Sequence, residues 1–144
     1  MDREHWIENR VLWRLESLLP VNNVALIGDA IPADTILEIA AACTPNVMGK
    51  PLIAFRESPQ KWTVLTTELI ASRHASAIHS VNVHCGFRVA FPFLNTYDCD
   101  PMNVKSTLEF LPLISPDGSI TEIWAPQGSP CFALWNILRM FPFK

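Results

Sequence analysis

The strongest constraint in this chain is a change of period at Gly49. Before it, apolar residues recur three and four positions apart; after it, β-branched and aromatic runs alternate with polar residues and are cut by Pro, Gly, Asp and Ser. A chain that switches period in this way folds as α+β, with antiparallel strands and helices set apart from them, because alternating βαβ units would need helical stretches between successive strands.

The N-terminal third is helical by this criterion. Residues 2–19 place Ile7, Val11, Leu15 and Leu18 on one face, and Pro20 stops the run. A step of 100° per residue puts Trp6 and Trp13 nearly opposite that stripe with Arg10 between them. Two readings follow: a helix buried on two sides, or a docking surface. Tryptophan and arginine are enriched at interface hot spots, and an Arg stacked on indole gains roughly 0.5–2 kcal/mol. A short apolar stretch at 24–27 precedes Gly28-Asp29. A second helix then starts at Pro32, runs through Ile36, Leu37, Ile39 and Ala40 to about Cys43, and meets Thr44-Pro45.

Downstream, residues 51–55 and 62–72 read as strands of a first hairpin, separated by Arg56-Glu57-Ser58-Pro59-Gln60. Further strands are expected at 77–83, 86–93, 104–114 and 119–124. In 86–93, Phe87, Val89, Phe91 and Phe93 alternate with Arg88, Ala90 and Pro92, and the Pro marks an edge or bulge. Ser115-Pro116-Asp117-Gly118 supplies Pro and Gly at the positions a tight turn needs. Residues 95–103 form the longest irregular insert. The chain closes on a helix with Ser129 as N-cap and Pro130 in its first turn, apolar nearly all round. The expected architecture is one domain over 1–144: N-terminal helices within 1–45, then an antiparallel sheet or partly open barrel, then a C-terminal capping helix.

Composition narrows the function classes. The 144 residues are 49% apolar and only 17% charged, against a typical ~25% charged, so core is plentiful and disorder is disfavoured. Eleven Lys and Arg, scattered and outnumbered by 14 Asp and Glu, give a net charge of -3 and no basic stripe for nucleic acid. No apolar run approaches the ~18 residues of a membrane span, and Met1-Asp2-Arg3-Glu4-His5 does not open like an export signal. Cys43, Cys85, Cys99 and Cys131 lack paired spacing, which fits reduced thiols and a cytoplasmic home.

Candidate chemistry is thin. His74, His79 and His84 recur every five residues, but an odd spacing along a strand sends neighbours to opposite faces, so His79 is not expected to join His74. His84 beside Cys85 invites a thiolate reading with Asp98 and Asp100 beyond; adjacent strand residues point apart, and a small buried thiol is the plainer expectation for Cys85. Asp98, Asp100 and Glu109 lack calcium-loop spacing, and five glycines build no phosphate loop. No metal, cofactor or catalytic residue is assigned.

Two segments carry a resemblance. Leu65-Thr66-Thr67-Glu68-Leu69-Ile70, within 61–72, resembles a strand of bacterial pleckstrin-homology-like (GRAM-like) domains, and the closing helix at 131–141 resembles the helix that caps their barrel. The likeness covers residues 50–144 and leaves the N-terminal helices outside. It implies a bent antiparallel barrel used as a binding platform. In lipid-binding members a basic cluster lines the first hairpin; here Lys50, Arg56 and Lys61 stand there with Glu57 among them, a thin charge for a phosphorylated headgroup.

The leading functional expectation is a non-enzymatic protein-interaction module, of inhibitor, immunity or adaptor type, that binds a protein partner or a second copy through an apolar, tryptophan-rich surface. The residues singled out for binding are Trp6, Arg10 and Trp13, with Arg56 and Lys61 on the first hairpin. The alternatives are a small hydrolase using Cys85 or Cys99 with a histidine, and a phospholipid-headgroup binder through the first hairpin.

Overall fold

A computed structural model describes residues 3–18, 25–27, 31–43, 49–89, 110–126 and 129–141. Helix α1 (Arg3–Leu18) is followed by β1 (Ala25–Ile27), α2 (Ala33–Cys43) and four strands, β2 (Pro51–Ser58), β3 (Lys61–Thr66), β4 (Leu69–His74) and β5 (Ala77–Asn82). Then come β6 (Arg88–Val89), β7 (Phe110–Ile114), β8 (Ile120–Trp124) and α3 (Ser129–Leu138). The α+β expectation holds. The strands form two antiparallel sheets, one ordered β1-β2-β3-β4-β5 and one β6-β7-β8, and among the described residues no barrel closes.

The central strands of the first sheet, β2, β3 and β4, are buried on both faces because helices cover each. On one side Ile31, Ile36 and Ile39 of the α2 segment pack on Ala54, Trp62, Val64, Leu69 and Ala71. The other side carries the larger core, where Ile53, Phe55, Leu65 and Ile70 meet Ile7 and Val11 of α1, Leu134, Ile137 and Leu138 of α3, and Leu111, Leu113 and Ile123 of the second sheet. Each such side chain contributes roughly 1.5–3 kcal/mol on burial. A register shift between Pro51 and Ile53 lets consecutive Leu52 and Ile53 both reach this core, where strict alternation would expose one. The closing helix packs as expected of a helix apolar nearly all round, although Trp135 is only half-buried and its ring lies under Arg139 at 5.1 Å.

The run at 62–72 is two strands, not one. Thr66 explains the break: its Oγ1 accepts the N–H groups of Glu68 (3.1 Å) and Leu69 (3.0 Å) and donates to the Leu69 carbonyl (3.2 Å), closing a turn without Gly or Pro. Gly49 lies against this turn with φ +73; a Cβ there would come within 2.7 Å of Glu68 Cγ and 2.8 Å of Thr67 Oγ1. The Thr67 N–H donates to the Lys50 carbonyl at 3.0 Å, and the Lys50 N–H donates to Thr67 Oγ1 at 3.0 Å. The next turn is equally unmarked in sequence, since Ala75 and Ser76 carry φ of 51° and 65°.

The second sheet lies across the first and is tied to it by side chains. Opposite Pro112, which has no N–H, Glu122 turns its backbone away from β7, as does Trp124 two residues on. Those outward groups meet polar side chains of the first sheet. The Trp124 N–H donates to Ser72 Oγ (3.0 Å), Thr63 Oγ1 donates to the Trp124 carbonyl, and His74 Nε2 lies 3.0 Å from the Glu122 carbonyl. Thr63 and Ser72 share a further hydrogen bond of 2.7 Å. Of the two expected C-terminal strands, Phe110–Ile114 and Ile120–Trp124 are observed, joined by the expected turn at Ser115 to Gly118, with Gly118 at φ +88. Residues 90–109, which hold Cys99, Asp98, Asp100, Glu109, the irregular insert and parts of two expected strands, lie outside the described residues.

Candidate interaction surface

Trp6 and Trp13 are seven positions apart, so they share a helix face to within ~20°, yet their surroundings differ. Trp13 is 69% exposed, while Trp6 is half-buried and packs against the larger core. What differs is contact with the larger core, which Trp6 makes, and not the angle around the helix. Arg10 is exposed and lies over the Trp6 ring, 5.4 Å from its centroid, rather than between the two indoles. Trp6 therefore serves as a seat for the Arg10 guanidinium, and Trp13 is the apolar group left to water. The buried face holds Ile7 and Val11 as expected; the side chains of Leu15 and Leu18 lie outside the described residues.

Arg56 and Lys61 do not join that face. Arg56 reaches α2, where its Nε donates to Glu38 at 2.8 Å and its second nitrogen approaches the other carboxylate oxygen at 3.4 Å. This hydrogen bond to Glu38, with the negative charges of Glu38 and Asp34, raises the Arg56 pKa above its ordinary value. Asp34, Thr35, Glu38 and Arg56 line an open cleft of about 340 Å³ in which two carboxylates face one guanidinium. Lys61 lies 3.5 Å from Glu57 and 5.0 Å from the Trp124 ring centroid. Lys50 pairs with Glu8 at 2.7 Å, which satisfies a carboxylate that α1 buries. All three cations of the first hairpin thus face carboxylates of this chain.

The histidines depart from the alternation argument. The turn at Ala75-Ser76 folds β5 back on β4, so His74 and His79 sit diagonally on one face of adjacent strands and stack at 4.6 Å between ring centroids. His74 is buried and its ring meets Phe110 edge-on at 5.3 Å. Counting along a single strand missed this because the chain reverses between the two residues. Among the described residues no group of three or more His, Cys, Asp or Glu could hold a metal ion. Cys85 is exposed, not a buried thiol, because it follows β5 in a turn held by the Asn82 side chain and carbonyl. The neighbouring His84 directs Nε2 to the Thr67 carbonyl at 2.9 Å. Among the described residues, Cys131 is the buried thiol.

Leu37 (70% exposed), Ile78 (41%) and Ile120 (60%) also face water. The signal for Leu37 is present in α2, where Ile36, Leu37, Ile39 and Ala40 span more of the helix circumference than one sheet can cover. Among the described residues no helix is long and apolar enough to cross a membrane. No known family model, curated protein or solved structure matches this chain.

Proposed function

We propose that this chain is a non-enzymatic protein-interaction module that engages a protein partner through the outer face of α1, with Trp13 as the anchor and Arg10 beside it. The observation that carries this reading is a tryptophan 69% exposed on a helix whose opposite face is buried through Ile7 and Val11. A wet indole forgoes transfer free energy that burial against a partner would recover, and tryptophan with arginine dominates binding energy at interface centres. The Arg10 guanidinium rests over the Trp6 ring, a contact that holds it near the pose in which it would meet a carboxylate or carbonyl of the partner. An inhibitor, immunity or adaptor role in the cytoplasm fits this chemistry. A pleckstrin-homology-like platform is supported by the antiparallel meander followed by a terminal helix, whereas headgroup binding is disfavoured by the carboxylates that face Lys50, Arg56 and Lys61.

The test is photo-crosslinking in cells of the source organism, with a benzophenone side chain replacing Trp13 and, as a control, the exposed Pro116. Position 13 is expected to yield a discrete protein adduct that weakens at least tenfold when Arg10→Glu is added. Equal adducts from both positions, or none from position 13, would overturn the reading.

A further inference from the structure

Strand β5 lies at the end of the first sheet and, among the described residues, pairs with β4 alone. Its ladder is unbroken from Leu69↔Asn82 to His74↔Ala77, without the register shifts that β2 shows. A two-residue turn closes on a hydrogen-bonded pair, so Ala77, His79 and Val81 direct their N–H and C=O groups to β4, while Ile78 and Ser80 direct theirs outward. Proteins protect such edges with Lys, Pro, bulges or very short strands. The opposite edge follows this rule, since β1 has three residues. Ala77-Ile78-His79-Ser80-Val81-Asn82 does not: it has six residues, no proline and no Asp, Glu, Lys or Arg. Ala77, Ile78, Ser80 and Asn82 are all exposed.

We infer that this edge is an interface whose occupant is β5 of a second copy of this chain, paired antiparallel about a two-fold axis so that two five-stranded sheets become one. The alternation of donors and acceptors along an antiparallel edge is complementary to itself under a two-fold rotation. A strand that carries no formal charge also meets its own copy without like charges opposed, the condition that a charged edge fails. Pairing further covers Ile78, which the monomer leaves 41% exposed. This surface is separate from the α1 face and stands or falls independently of it.

Sedimentation velocity on the full chain over about 1–100 µM tests the pairing. The wild type is expected to rise from 16.2 kDa towards twice that mass. Ser80→Pro removes an outward N–H and leaves the β4 ladder intact; Ile78→Lys places a charge on the exposed edge. Both are expected to hold the chain at monomer mass, with the melting midpoint that the wild type shows at dilutions where it is monomeric, and Trp13→Ala to leave the dimer intact. A wild type that stays monomeric throughout, as it would if a foreign strand or another part of the chain occupied the edge, overturns the inference. So does a dimer that survives both β5 substitutions.

Discussion

Asp117 shows how far one side chain accounts for a turn. Its Oδ1 accepts the Ser119 hydroxyl at 2.7 Å and the Ser119 N–H at 2.9 Å, and these two bonds, the hydroxyl first, hold its pKa below the ordinary 3.8. A carboxyl whose folded pKa is depressed stabilises the fold above its unfolded value and loses that contribution as pH falls through the folded one. The stabilisation is therefore complete above about pH 5 and declines below pH 4. In Asp117→Asn the acid limb of a stability-versus-pH curve should be shallower than in wild type, with the difference confined to that window; a difference centred near neutrality would contradict the assignment. The same turn was legible because Pro and Gly occupy positions their backbones favour. The Thr66 turn was not, since a threonine in a β-branched run reads as strand until its hydroxyl is seen bonding two backbone N–H groups.

Elements are placed here by contacts that no periodicity encodes. The helices were readable from apolar spacing, and the strands from β-branched runs, because both patterns are local. The docking of β8 across the first sheet was not readable, because it depends on Thr63, Ser72 and His74 meeting backbone groups 48 to 61 positions away. Three polar side chains at buried strand positions would ordinarily weaken a core; here they meet the edge of β8 that, among the described residues, no strand pairs with. Ser72→Ala leaves the buried Trp124 N–H without that acceptor and should cost about 1–3 kcal/mol. Thr63→Val combined with it should cost clearly less than the sum of the two single changes, because Thr63 and Ser72 also bond each other. Denaturant unfolding of the four chains measures this, and strictly additive losses would show that Thr63 and Ser72 do not act as one unit. The candidate site was legible in the same uneven way: the helical period singled out Trp6 and Trp13 together, and only contact of Trp6 with the larger core separates them.

At the scale of the molecule, a five-stranded sheet is covered by α2 on one face and by α1, α3 and a second sheet on the other. With both faces occupied, contact with other molecules falls to the outer faces of the helices and to sheet edges. On α1 that outer face presents Trp13, and the account of function rests on this indole belonging to the surface while Trp6 belongs to the fold. Equilibrium denaturation of Trp13→Ala beside Trp6→Ala tests the division most directly. Trp13→Ala should lie within about 0.5 kcal/mol of wild type, and Trp6→Ala, which removes a half-buried ring and the seat of Arg10, should lose about 1–3 kcal/mol. A loss above about 2 kcal/mol for Trp13→Ala would place that indole in the folded core and contradict its role as a surface anchor.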